Sequence, residues 1–141
     1  MPHFSQTLAK QHEHCDTLFA AAENAVAEGD WPRAQEQFQA FARDTLHHFS
    51  QEDEVLFTAF ENRTGMKGGP TFVMRSEHEQ MRDAIAAMEQ ALQARDGQRY
   101  LGLSETLLML MRQHNLKEEN ILYPMMDQAL ADEADRLLSG M

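Results

Sequence analysis

One cysteine, Cys15, leaves no partner for an internal disulfide, so the fold cannot rest on covalent staples, and this usage fits a reducing compartment. Strand formers are just as scarce. Three Val, two Ile and one Trp stand against abundant Ala, Leu, Met, Gln and Glu, which excludes a β-rich architecture. Cations are few: 12 Lys and Arg against 23 Asp and Glu give a formal net charge of -11 with His neutral. A nucleic-acid partner is not expected, because affinity for phosphate backbones comes from Lys and Arg. The longest apolar run, around Leu107 to Met111, falls far short of the ~20 residues that cross a bilayer. The opening MPHFSQTLAK lacks the apolar core of a secretory leader. The expectation is a soluble, cytoplasmic protein without membrane contact; the sequence is silent on oligomeric state.

What is present is helical periodicity. The 141 residues are 43% apolar, enough for one packed domain spanning 1–141. A first helix is expected from about Ser5 to Ala27, with Leu8, His12, Cys15, Phe19, Ala22 and Val26 on one face. Gly29 and Asp30 break it, and Asp30 is a good N-cap for a second helix from about Trp31 to Asn62. The stretch Thr64 to Pro70, with three Gly and a Pro, is the loosest connection. A third helix is expected over Thr71 to Ala94 and a fourth over Gln98 to Tyr123. Pro124 allows a kink or a new start, with a short tail helix over Met125 to Leu138. Short loops between long amphipathic helices imply antiparallel neighbours, hence an all-α, up-down-up-down four-helix bundle with a short C-terminal helix.

The chain also repeats itself at an offset of 66 residues, the halves covering about 8–61 and 74–127. His48-Phe-Ser-Gln-Glu52-Asp-Glu-Val-Leu-Phe57 aligns with His114-Asn-Leu-Lys-Glu118-Glu-Asn-Ile-Leu-Tyr123, and His12 falls on His78. One helix pair used twice gives the bundle a pseudo-two-fold axis. Apolar positions are kept by type, whereas His12/His78, His48/His114 and Glu52/Glu118 are kept in identity. His3, His14 and His47 map to Gly69, Gln80 and Gln113, which separates them from the set.

On a helix, residues four apart lie ~40° from one another, so His48 with Glu52 and His114 with Glu118 each share a face. Both pairs lie in apolar stripes where Leu would be expected. Buried imidazoles and carboxylates without partners cost several kcal/mol, so six of them converging in one core call for a cation. His12, His48, Glu52, His78, His114 and Glu118 are therefore the candidate metal ligands, a donor set suited to Fe, Mn or Zn. Asp53 and Glu119, one residue further on, point ~140° from their His on a regular helix and are expected to be solvated or to support the ligands from outside. Glu13 and Glu79, beside the single His residues, are expected mainly on exposed faces. Cys15 is expected in the core.

These motifs, with Gln11-His12-Glu-His-Cys-Asp16 and Ser76-Glu-His78-Glu, resemble the hemerythrin-like, or HHE cation-binding, family over about Leu8 to Asp127. The resemblance implies a non-haem centre of two iron ions, with Glu52 and Glu118 as bridging carboxylates and a small ligand such as O2, NO or peroxide. Oxygen-carrying members place a further His four residues after the third-helix His, and an Asp five residues after the fourth-helix His. Here those features are Arg82 and the four-step Glu118. The departure points away from simple oxygen carriage. It points towards sensing or reducing a small ligand, metal handling, or repair of iron centres. A bundle in which the metal only holds the fold is a further alternative.

Overall fold

Two aspartates one repeat apart, Asp30 and Asp96, start the second helix of each half, and the first of them is the cap expected from the sequence. The computed structural model describes residues 3–139 and is all-helical among them. Helix α1 (Phe4–Ala27) turns through Gly29 into α2 (Trp31–Gln51). A π-helical turn, Glu52–Leu56, carries the same rod on into α3 (Phe57–Thr64). After the glycine-rich connection come α4 (Pro70–Gln93) and α5 (Gly97–Lys117). A second π-helical turn, Glu118–Leu122, leads into α6 (Tyr123–Ala129). A 3-10 turn then precedes the short α7 (Ala134–Leu138).

The repeat extends to its turns. The Asp30 carboxylate accepts from the Arg33 N–H at 3.3 Å, and Asp96 accepts from the Arg99 N–H at 3.1 Å. Just before each cap the chain takes a left-handed residue, Gly29 at φ 74° and Arg95 at φ 53°. The next N–H then reaches back five residues, Asp30 to Ala25 and Asp96 to Ala91, both at 2.9 Å. Arg95 holds this conformation without glycine's freedom.

Helix α1 packs on α2 and α4 on α5. The two hairpins then meet through α1 with α5 and α2 with α4, which is the expected up-down-up-down bundle. The expected tail helix over Met125 to Leu138 is corrected. Met125 to Ala129 belong to the fourth rod, and only Ala134–Leu138 is separate. Pro124 does not break the rod, because it falls in the first turn after the π turn, where a missing N–H costs little.

The buried apolar residues form two clusters. Phe38, Phe41, Met88, Tyr100 and Leu107 anchor the first, and Phe4, Leu8, Phe57, Phe60, Tyr123 and Met126 anchor the second. Each such side chain contributes roughly 1.5–3 kcal/mol on burial. Cys15 is buried, and burial pushes its thiol above the ordinary range, consistent with a core role. The N-terminus of α1 is fastened to α6, since Asp127 accepts from the Phe4 N–H at 2.7 Å and the Ser5 hydroxyl at 2.5 Å. No helix among the described residues is long and apolar enough to cross a membrane.

Candidate metal centre

All six candidate residues meet where the two halves face each other. His12, His48, Glu52, His78, His114 and Glu118 are each at most 6% exposed. Their donor atoms form two overlapping groups, Glu52/His78/His114/Glu118 and His12/His48/Glu118. Within each group, the donor atoms lie within 4.8 Å of one another. Glu118 belongs to both.

The four imidazoles are held in one manner. Each is paired through Nδ1 with an outer acceptor: His12 with Glu119 at 2.8 Å, His48 with Gln11 at 2.6 Å, His78 with Asp53 at 2.7 Å and His114 with Glu77 at 2.8 Å. An Nδ1–H donated outwards turns the Nε2 lone pair inwards, the tautomer a metal ligand needs. The outer acceptors obey the same offset as the ligands, Gln11 with Glu77 and Asp53 with Glu119. Asp53 in turn accepts from Arg82 at 2.8 Å, and Glu77 from Lys117.

Tyr123 lies among these groups. Its hydroxyl is 2.5 Å from Glu52 Oε2 and 2.9 Å from Glu118 Oε1, with His12 Nε2 at 3.1 Å and His48 Nε2 at 3.5 Å. The π turn places it there. The Tyr123 N–H bonds to the Glu118 carbonyl five residues back, so Tyr123 lies beneath Glu118 instead of ~140° away as on a regular helix. Phe57 bonds back to Glu52 in the same way, and its ring stacks on His78 at 5.8 Å between centroids.

Electrostatics ties the cluster together. Burial acts to lower the His12 imidazole, but hydrogen bonds and charge from Glu118, Glu119 and Glu52 outweigh it and raise it to about 9. Burial likewise acts to lower His78, and Asp53 and Glu52 raise it to about 9. His114 also ends raised, with burial outweighed by Glu118 and Glu52. Burial pushes Glu52 up, yet His48 and His78 hold it well below the carboxylate range. Burial, together with the charges of Glu118 and Glu52, lifts the Tyr123 hydroxyl well above its ordinary range, so it is a neutral donor. Without an ion, protons on imidazoles balance two buried carboxylates, and a bound cation would displace them.

The donor set fits a metal on a further observation. Among the described residues, the buried side-chain N and O atoms lacking a hydrogen-bond partner are Thr45 Oγ1 and four atoms of this cluster: Glu52 Oε1, His78 Nε2, His114 Nε2 and Glu118 Oε2. His78 Nε2 lies 3.0 Å from Glu52 Oε1, and His114 Nε2 lies 3.2 Å from Glu118 Oε1, but neither pair is aligned for a hydrogen bond. Orphan groups of this kind cost stability unless something satisfies them.

The structure brings together the six residues singled out from the sequence, and it sets Asp53 and Glu119 against His78 and His12, one of the two places considered for them. Sequence reasoning missed Gln11, Glu77 and Tyr123. The signal for the first two was the offset itself, since each directly precedes a repeated His. Glu13 is exposed, and Glu79 turns outwards to Arg82. His14 pairs with Asp44 at the surface, apart from the cluster. A groove of about 590 Å³ between α1 and α5, lined in part by Asp16, Glu23, Arg112 and Glu119, opens beside the carboxylate that holds His12.

Comparison with family models gives a match to the hemerythrin HHE cation binding domain over residues 3–126. No curated protein and no solved structure matches the chain.

Proposed function

The chain belongs to the hemerythrin HHE cation-binding domain family, and on that premise we propose that it is a single metal-binding domain holding two iron ions that bind, sense or reduce a small ligand such as O2, NO or peroxide. Glu52, His78, His114 and Glu118 would hold one ion, and His12, His48 and Glu118 the other, so that Glu118 is common to both; the family pattern would make Glu52 a second shared carboxylate. The observation that carries this reading is the cluster of four unpartnered donor atoms in a core where every imidazole is already pinned through its other nitrogen. Zn and Mn suit the same donors.

Bound iron supplies one-electron chemistry and a coordination position for a small ligand. The protein's own part is to fix the imidazole tautomers, exclude bulk water with two apolar clusters, and offer the Tyr123 O–H as a neutral hydrogen-bond donor at the ligands. Arg82 stands where oxygen carriers have a further His. Its guanidinium pairs with Asp53 and Glu79, so it supports His78 through Asp53 and adds no donor of its own.

Metal analysis of freshly purified protein is expected to give two iron atoms per chain. The iron-loaded protein is expected to show a visible charge-transfer band that changes on exposure to O2 or NO. Protein free of metal after both aerobic and anaerobic preparation would sink the proposal. A second reading, metal handling without turnover, draws support from the acidic groove beside Glu119. It predicts a band insensitive to gases together with rapid exchange of the metal to chelators.

A further inference from the structure

The repeat breaks at one position inside the centre. The offset carries Phe57 onto Tyr123, and both π turns deliver these rings to the core in the same way. Phe57 has only a ring to offer and stacks it on His78. Tyr123 adds a hydroxyl, and that hydroxyl lies close to His12, His48, Glu52 and Glu118. The unpartnered atoms fall on the other side. Glu52 Oε1, His78 Nε2, His114 Nε2 and Glu118 Oε2 supply one donor from every member of the first ligand group. His12 Nε2 and His48 Nε2 are absent from that set, because the tyrosine oxygen engages them.

We propose that Tyr123 makes the two metal positions unequal, so that an ion is taken first by Glu52, His78, His114 and Glu118, and the His12/His48 position fills second, at the expense of the Tyr123 hydrogen bonds. The inference rests on the reading of the cluster as a two-metal centre. Its physical basis is a difference in what each ion must displace. The first ion meets donor atoms whose hydrogen bonds are unmade, and satisfying them removes an existing penalty. The second ion must separate the tyrosine hydroxyl from two imidazoles in a buried site, where such contacts are strong. Pairs of this kind involving charged partners separate the two affinities by about tenfold or more. Tyr123 acts here as a positioning residue that sets the order of loading.

The test is a titration of chelator-stripped full-length protein with Zn²⁺ against a chromophoric competitor, with the imidazole nitrogens followed by NMR. In the unsubstituted protein, His78 and His114 are expected to shift during the first equivalent, and His12 and His48 during the second. Tyr123→Phe should tighten the second step by about tenfold and leave the first nearly unchanged. The exchange Phe57→Tyr with Tyr123→Phe should reverse which histidines respond first; if the double variant does not fold, Tyr123→Phe decides alone. All four imidazoles shifting together in the unsubstituted protein, or an undiminished gap in Tyr123→Phe, would overturn the proposal while leaving a two-metal centre intact. Failure to bind Zn²⁺ at all would overturn the underlying reading as well.

Discussion

The two halves of the centre share a plan and differ in their surroundings. His12 and His78 are each pinned by a carboxylate that follows a glutamate of the cluster, Glu119 and Asp53. Around His78 and His114 the outer carboxylates are neutralised, Asp53 by Arg82 and Glu77 by Lys117. The repeat mates of Arg82, Glu77 and Lys117 are Asp16, Gln11 and Gln51. His48 therefore leans on a neutral amide. Near His12, Asp16 is raised by burial and by the charges of Glu119 and Glu13. On the proposed reading, the inner donors hold the cations and the residues outside them set how far the two positions differ.

The largest effect should come from the residue the halves share. Glu118→Ala removes a donor from both groups and is expected to weaken binding at both positions by on the order of a thousandfold. His12→Ala should leave one ion in place. Bound metal per chain, measured after gel filtration, distinguishes the two, and a Glu118→Ala protein that still retained two ions would contradict the assignment.

The next effect concerns what the halves have in common. His12 and His78 are both raised from 6.5 to about 9. A raised imidazole contributes stability that is fully present below the unfolded value of 6.5 and is lost as the pH climbs through 9. The metal-free protein should therefore lose on the order of 2 kcal/mol or more across that window. Thermal melts in chelator at pH 6.5 and 9.5 read this directly, and loading metal near pH 7 should release protons into an indicator dye. A melt that does not change with pH would show that the imidazoles are not the groups balancing Glu52 and Glu118.

A smaller effect separates the halves. Asp53→Asn and Glu119→Gln should each lower metal affinity by about 10–100-fold, the first at the His78 position and the second at the His12 position. Equal losses at both positions in either variant would mean that these carboxylates act through the fold as a whole. The smallest effect lies in the turns. Arg95→Gly relieves a left-handed residue and should stabilise by about 1 kcal/mol, raising the melting temperature a few degrees, while Gly29→Ala should do the reverse.

The bundle, its breaks and the inner six residues were legible because they depend on periodicity and on the 66-residue offset, both of which survive without coordinates. Asp30 could be read as a cap from its place between Gly29 and the next apolar stripe. Tyr123 was not legible as a neighbour of Glu52. A regular helix turns it ~140° from Glu118, and nothing in the letters Glu-Glu-Asn-Ile-Leu announces five-residue hydrogen bonding. The same assumption left Asp53 and Glu119 undecided. Asp127 as the cap of α1 was out of reach for another reason: the contact spans 123 positions and uses an ordinary surface residue type. Gln11 and Glu77 were visible as repeat mates, but their role depends on helix rotation that spacing alone does not supply.

The paired π turns also make the rods sensitive to length in an unusual way. Each turn accommodates one residue more than an α-helix would fit in the same span. Deleting any single residue between 118 and 122 would let the helix become regular, an apparent repair. Tyr123 would then follow Glu118 by four residues, ~40° round a regular helix, and so stay beneath it, with Met126 still turned to the second apolar cluster. An extra residue has no such slack, because it would turn everything beyond it by ~100° relative to His114. A library of single-residue deletions should find residues 54–56 and 120–122 more tolerant of loss than the regular helix before them, where one deletion turns every later side chain by ~100°.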